Sequence, residues 1–176
     1  NAYASVELAA LSAFVTGGGT VLLFGENQGF TTANDTINAF LAEVGSSMTI
    51  VPDAIGGGGS FCSIGTETGA ALVGPLMSGV TGFSWGCGSQ VTGGTTEMLT
   101  QDLTRPIIAS EAIGAGLVVV VGDGNISTTE PGNRRFFENV LDATALAPIP
   151  LPASLSLLMG GLAGLSLLAR RRRTAG

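Results

Sequence analysis

The sequence predicts an α/β domain with a largely parallel sheet, followed by one C-terminal membrane helix. Helical and strand patterns alternate over the first fifty residues, which is typical of layered α/β domains. The strand patterns are short continuous apolar runs, as in strands covered on both faces. Near the C-terminus, residues 151–169 contain no charged side chain. These observations predict a body over residues 1–146 and a separate tail over residues 147–176.

The sequence of the first part of the body predicts two helix–strand units. Ser5 is a suitable N-cap for the first helix, which Gly17–Gly19 ends. Residues 20–24 form an apolar strand, a second helix begins near residues 32–34, and a second strand covers residues 48–51. The predicted buried side chains of the two helices are Leu8, Leu11, Val15, Ile37, Phe40, Leu41 and Val44.

The later part of the body predicts a hairpin and a closing helix. Residues 54–104 contain only short apolar stretches, which predict short strands and loops. Apolar runs at residues 107–110 and 117–121 flank a glycine-rich turn, which indicates a hairpin. A last helix begins at Pro131. Its predicted inner face consists of Phe136, Phe137, Val140 and Leu141.

Charge separates the body from the tail and excludes several functions. All 13 acidic residues lie in the body, whereas four of the seven basic residues are consecutive arginines of the tail, so the body carries −10 and the tail +4. An acidic, lysine-free body argues against a nucleic-acid partner. The chain has no histidine, which excludes Cys-His or Ser-His-Asp catalysis within it and removes the commonest zinc ligand. We therefore predict a non-enzymatic body and assign no catalytic or metal-binding residue.

Two cysteines, Cys62 and Cys87, lie in the glycine-rich middle of the body. In an exported protein a disulfide is the default expectation for such a pair. Two free thiols, or one catalytic cysteine, are the alternatives. A disulfide here would stabilise the body by about 3 kcal/mol by closing the intervening loop.

Polar side chains follow two predicted strands, and they mark the candidate ligand site. Glu26 and Asn27 follow the first strand, and Asp123 and Asn125 follow the strand at residues 117–121. In a parallel sheet these turns would meet at the carboxyl ends, where open α/β sheets bind ligands. Carboxylate and amide oxygens would suit calcium, so no cofactor beyond a calcium ion is considered. The alternative is that Asp, Asn and Gly are ordinary turn residues.

Two further constellations suggest action on a polysaccharide. Glu67 and Glu97 could form a glycosidase pair of carboxylates, although acids on loops are usually just solvated. Trp85 with Phe83 could stack on a sugar, although such a pair is more often part of a core.

The tail has the physical properties of a membrane segment. Nineteen residues of helix, 151–169, would span about 28 Å, close to the hydrocarbon core of a bilayer. Pro150 and Pro152 stand where a helix can begin. A basic cluster after the span would stay on the cytoplasmic side and leave the body outside the cytoplasm. This predicted cytoplasmic stop consists of Arg170, Arg171, Arg172 and Arg173. The alternative is a buried core helix with a solvated basic end.

The order of a proline motif, an apolar helix and terminal arginines resembles a PEP-CTERM sorting signal of the VPLPA type. The motif residues here are Pro150, Leu151, Pro152 and Ala153, preceded by Ile149 where the family has Val. The resemblance implies an exosortase-type processing enzyme as partner in an exopolysaccharide-producing Gram-negative bacterium. It also implies an inner-membrane location before processing, and a cell-surface or extracellular location afterwards.

The body resembles class I glutamine amidotransferase-like domains without their catalytic residues. The resemblance is carried by residues 14–24, 75–80, 114–124 and 133–139. It implies a three-layer flavodoxin-like fold, with one further strand upstream of Asn1. We therefore expect the body to be truncated at its N-terminus.

These observations predict an exported surface or extracellular-matrix protein whose body binds or assembles without catalysis. Exopolysaccharide or another matrix component is its expected partner. One alternative is a hydrolase that attacks extracellular polysaccharide or peptide through carboxylates. The other is a self-assembling structural subunit, which the low charge content and the glycine-rich body permit.

Overall fold

The structure, a computed structural model, describes residues 3–57 and 62–145. These residues form three α-helices and eight β-strands, together with three short 3-10 turns. The helices are α1 (Ser5–Thr16), α2 (Thr31–Glu43) and α3 (Pro131–Ala145). The strands are β1 (Thr20–Phe24), β2 (Thr49–Gly56), β3 (Gly65–Thr68), β4 (Gly82–Trp85), β5 (Cys87–Thr92), β6 (Thr95–Leu99), β7 (Pro106–Ile113) and β8 (Gly116–Val121).

A four-stranded sheet in the order β1-β8-β7-β6 forms the centre of the fold. Only β1 and β8 run parallel in it, with Thr20 opposite Leu117 and Phe24 opposite Val121. The β7–β8 and β6–β7 pairs are antiparallel, and β7–β8 is the hairpin expected around the glycine-rich turn. Two further antiparallel pairs, β2–β5 and β3–β4, lie outside this sheet.

The predicted three-layer flavodoxin-like fold with a mostly parallel sheet is therefore wrong. Among the described residues the architecture is mostly β, with mixed and antiparallel sheets and three helices. The error has two physical causes. Burial on both faces, which the apolar runs indicate correctly, does not determine the direction of the neighbouring strand. In addition, residues 65–99, which contain few apolar runs, form four strands that pair through antiparallel contacts.

Strand β8 separates two hydrophobic clusters. Val118 and Val120 enter a cluster with Val15 of α1 and the inner face of α2. Val119 and Val121 enter the other cluster, with Phe136 of α3. All four valines are fully buried, and each contributes about 1.5–3 kcal/mol through the apolar surface it removes from water. The continuous apolar sequence of β8 is thus required by the helices on both faces.

The helices bury narrower faces than their sequences predict. Helix α2 buries Ile37, Phe40 and Leu41, as expected. In α3, however, Leu141 is 68% exposed, although the sequence pattern places it on the inner face. Helix α1 buries only Val15, while Leu8 and Leu11 are partly buried against the same cluster.

The predicted membrane location is also corrected. Within residues 3–57 and 62–145, every helix is too short or too polar to cross a bilayer, so no described helix supports an inner-membrane protein. The resemblance of the tail to a sorting signal is not tested by the fold, because the residues that carry it lie outside the described part of the chain. These residues are the apolar segment 151–169, the motif Pro150, Leu151, Pro152 and Ala153, and the predicted cytoplasmic stop Arg170, Arg171, Arg172 and Arg173.

We predict that Phe136→Ala lowers the free energy of unfolding by about 3–5 kcal/mol, because it leaves a cavity in a packed cluster. The ring of Phe136 packs edge-on against Phe83, with centroids 5.3 Å apart. The matched control is Phe30→Ala. Phe30 is 58% exposed, so its loss should cost less than about 1 kcal/mol. Equal losses in urea denaturation of the two variants would contradict this assignment of the core.

Candidate functional site

The parallel pair β1–β8 brings two polar turns to one edge of the sheet. The N–H of Gly25 donates to the carbonyl of Val121 at 2.7 Å, so the chain leaves both strands at the same level. Glu26 follows on one side and Asp123 on the other. A side chain at Gly124 would meet the carboxylate of Glu26, which shows how closely the two turns approach.

Asp123 is fully buried and organises the turn after β8. Its Oδ2 accepts the N–H of Gly86 at 2.5 Å, and its Oδ1 accepts the N–H of Asn125 at 2.9 Å. The side-chain amide of Asn125 donates to the same Oδ1 at 3.2 Å. Both carboxylate oxygens are thus engaged in joining this turn to the segment between β4 and β5.

The backbone of Glu26 is held by two buried side chains. The Asn34 side chain accepts the N–H of Glu26 at 2.9 Å and donates to its carbonyl at 2.7 Å, as a second strand would. The hydroxyl of Ser89 donates to the same carbonyl at 2.6 Å. This arrangement leaves the Glu26 side chain at the rim of the turn, partly exposed.

The carboxyl of Glu26 has a raised pKa. Burial is the largest cause, and the negative charge of Asp123 adds to it. A hydrogen bond from the N–H of Asn27 acts in the opposite direction. The rim therefore holds a carboxylate that takes up a proton more readily than an ordinary glutamate.

The side chain of Asn27 does not join this cluster. Its side-chain oxygen accepts the N–H of Gly29 at 2.9 Å and begins the 3-10 turn Gln28–Phe30. The structure therefore brings together three of the four predicted site residues, Glu26, Asp123 and Asn125, and assigns the fourth to its own turn. Within residues 3–57 and 62–145, no group of three or more acidic or cysteine side chains could hold a metal ion.

The disulfide lies beside the same edge. Cys62 is bonded to Cys87, across a sequence separation of 25 residues. Gly86, the neighbour of Cys87, donates to Asp123 as described. Two residues after Cys62 in the loop, Ile64 is 84% exposed. The disulfide therefore anchors an exposed apolar residue close to the acidic rim, which is the surface formed by Glu26 and Asn125 at the carboxyl ends of β1 and β8.

Asn34 and Ser89 are site residues that the sequence pattern does not reveal. Ser89 also accepts the N–H of Asp53 at 3.1 Å, where β2 departs from regular pairing between Val51 and Ile55. Its own N–H donates to the carbonyl of Gly122 at 2.8 Å. A serine within a short strand carries no local signal of such a role. Asn34 resembles any polar residue in a first helical turn.

The other candidate acids are interior groups. Glu67 is fully buried and accepts the indole N–H of Trp85 at 3.1 Å. Glu97 is fully buried as well; it accepts the N–H of Leu76 at 2.8 Å and the hydroxyl of Ser110 at 2.5 Å. Trp85 and Phe83 are at most 1% exposed and belong to the core, so they form no sugar-stacking surface. The suggested glycosidase pair has no access to a substrate in this structure.

Burial raises the pKa of Glu97 above its ordinary value of 4.5, against the lowering effect of its hydrogen bonds from Ser110 and Leu76. The folded protein therefore binds this proton more tightly than the unfolded chain. Its stabilising contribution is complete below pH 4.5 and is lost as the pH rises through the folded pKa.

We predict that Glu97→Gln removes this pH dependence. Its amide oxygen can still accept the N–H of Leu76, and its amide N–H can donate to the hydroxyl oxygen of Ser110. The stability of the wild type relative to the variant should fall as the pH rises from about 4 to about 7. Urea denaturation at a series of pH values measures it. Glu138→Gln, at a half-exposed carboxylate, is the control for a general change of charge. A constant difference between wild type and Glu97→Gln at every pH would contradict the prediction.

Comparison with known proteins identifies the fold and not the activity. No protein-family model and no curated protein matches the sequence. A solved structure described as "mmIFT52 N-terminal domain" is similar, with a TM-score of 0.65 and 17% sequence identity. The match covers 85% of this chain and 75% of that chain. At this identity the likeness shows only that the chain shares the fold of that domain, which replaces the expected flavodoxin-like fold.

Proposed function

We propose that this chain is an exported bacterial protein whose body acts by binding or assembly and not by catalysis. It works in the cell envelope or the extracellular matrix, with exopolysaccharide or another matrix component as its partner. The observation that carries the proposal is that most of the candidate acidic side chains are buried and hydrogen-bonded inside the protein. Asp123, Glu67 and Glu97 are fully buried, and they accept hydrogen bonds from groups in the interior of the protein.

Catalysis by carboxylates needs an acid and a base that both reach the substrate. Asp123, Glu67 and Glu97 are fully buried, and their oxygens accept the N–H and O–H groups already described. Glu26 is the partly exposed acid at the strand ends, and the nearest carboxylate to oppose it, Asp123, is inside. The chain has no histidine to replace either partner. This geometry favours a binding surface.

The disulfide supports export. Disulfides persist in oxidising compartments and are rare in the cytosol. Here Cys62–Cys87 fixes the loop beside the acidic rim, so its reduction would loosen the surface that we propose for binding. A body charge of −10 without lysine also favours solubility in a cation-rich exterior.

In this proposal the proline motif is the sorting signal that directs the protein out of the cell. We infer that an exosortase-type enzyme recognises Pro150–Ala153 and processes the chain nearby. Processing would separate the acidic body from the four arginines, Arg170–Arg173. The released body, carrying the whole negative charge, would be the working molecule.

Joint replacement of Pro150, Leu151, Pro152 and Ala153 by Ser should abolish processing and retain the protein in the cell fraction, because the recognition element is lost. Cell fractionation with a size measurement of the product follows both effects. Ile149→Val is the matched control, since it restores the residue usual in the resembling motif and should process normally. If the quadruple variant has the same size and is released to the same extent as the wild type, Pro150–Ala153 is not a sorting signal.

The non-catalytic body has its own test. We expect the purified full chain to release neither reducing sugar nor new peptide ends from the host matrix, and Glu26→Gln to behave identically. Glu26 is chosen because its carboxyl lies at the rim and has a raised pKa. Turnover by the wild type that disappears in Glu26→Gln would establish an enzyme instead.

A further inference from the structure

Two connections join the outer strand pairs, and they lie side by side. Gly86 alone connects β4 to β5, and residues 57–64 connect β2 to β3. Because β2 ends opposite the start of β5, and β3 begins opposite the end of β4, both connections cross from one pair to the other at the same place. We call this place the corner. It consists of Gly57 and residues 62–64 on one connection and Gly86 on the other.

The corner is held together by hydrogen bonds and by the disulfide. The buried N–H of Gly57 donates to the carbonyl of Ser63 at 2.9 Å and to the carbonyl of Gly86 at 3.1 Å. The disulfide joins Cys62 of the longer connection to Cys87, which directly follows the shorter one. The disulfide is therefore the covalent tie between the two connections.

The two halves of the disulfide differ in their access to solvent. Cys62 is exposed, whereas Cys87 is partly buried at the start of β5. A thiolate cleaves a disulfide by attacking one of its two sulfur atoms, and access helps to decide which one is attacked. Access from solvent therefore favours attack at the sulfur of Cys62.

The backbone of Cys62 also favours opening of the bond. Its φ is 42°, in the left-handed region that residues with a side chain rarely adopt. A residue keeps such a conformation only where its surroundings impose it. Cleavage of the disulfide would let Cys62 return to a common conformation, which lowers the free energy of the open form.

We propose that Cys62 is a site of thiol addition, and that cleavage there loosens the corner while the central sheet stays folded. A small thiol, as its thiolate, attacks the Sγ of Cys62. A sulfur–sulfur bond forms between them, the bond to Cys87 breaks, and Cys87 leaves as a thiolate that takes a proton from water. A second thiol then displaces the first. Two cysteine thiols remain, and the two small thiols are oxidised to their own disulfide.

Other contacts confine the opening to the corner. On the β5 side, the N–H of Ser89 donates to the carbonyl of Gly122 at 2.8 Å. On the β4 side, the side chain of Asn133 accepts the N–H of Ser84 at 2.7 Å and donates to its carbonyl at 2.6 Å. Both strands that flank Gly86 thus stay attached to the rest of the fold when the disulfide is cleaved.

Cleavage acts on the acidic rim because the corner lies against it. A methyl group at Gly86 would lie 3.4 Å from the side chains of Asn125 and Asp123. The same group would lie 3.9 Å from Ile64, which follows Cys62 by two residues. Thiol addition at Cys62 therefore releases Ile64 from its position beside Asn125. The proposal depends on the disulfide and not on the sorting motif or on a matrix partner.

Reaction of the oxidised, folded full chain with reduced glutathione tests the site of addition. The reaction is quenched with N-ethylmaleimide, and the labels are located by peptide mass spectrometry. Glutathione on Cys62 with N-ethylmaleimide on Cys87 should be at least about tenfold more abundant than the reverse, because access decides which sulfur is attacked. The reverse assignment, or reaction only when the chain is unfolded in urea, would overturn the proposal.

Amide exchange resolved by NMR tests the extent of the opening. In the full chain kept reduced with dithiothreitol, the amides of Gly57 and Gly86 should exchange at least about tenfold faster than in the oxidised chain. The amides of Val119 and Val120, in the central sheet, should change little. Equal acceleration of all four amides would mean that reduction unfolds the whole protein, and unchanged exchange would mean that the disulfide does not hold the corner. Either result overturns the proposal.

The double variant Cys62→Ser/Cys87→Ser should show the exchange pattern of the reduced chain without any reductant. Ser63→Ala is the matched control, since it lies in the same segment and keeps both the disulfide and the carbonyl that accepts from Gly57. Its amides should exchange as in the oxidised wild type. Slow exchange of Gly57 in the double variant contradicts the proposal. These variants leave residues 150–153 intact, so the outcome is independent of the sorting test.

Discussion

The parallel pairing of β1 with β8 is the constraint on which the rest of this structure depends. Alternate valines of β8 enter two clusters, so helices must cover both faces of the sheet. Because the two strands run in the same direction, the turns that follow them emerge side by side at one edge. The polar cluster at the carboxyl ends is a consequence of this one pairing.

Crowding of the two turns explains why a carboxylate is buried there. The backbone N–H of Gly86 is buried, where water cannot satisfy it, and Asp123 accepts it. The same carboxylate also accepts the N–H of Asn125. An unsatisfied buried N–H costs about 1–3 kcal/mol, so this acid is required by the backbone before any ligand is considered. Asn34 and Ser89 meet the same need around Glu26. A ligand at this edge must therefore contact the rim, where Glu26 and Asn125 are accessible, and not the carboxylate beneath it.

Local patterns predicted the helices, β1 and the β7–β8 hairpin, because each of these elements is specified by its own apolar spacing and turn residues. Local patterns could not predict the direction of the strands, because β8 is buried on both faces whether its neighbours run parallel or antiparallel. Glu26 and Asp123 were predictable as polar residues after apolar strands. Ser89 was not, because its partners lie 36 and 63 residues away in sequence. Leu141 continues the apolar spacing of α3 but is 68% exposed, whereas its neighbour Val140 is buried, so the buried face of the helix is narrower than the spacing indicates.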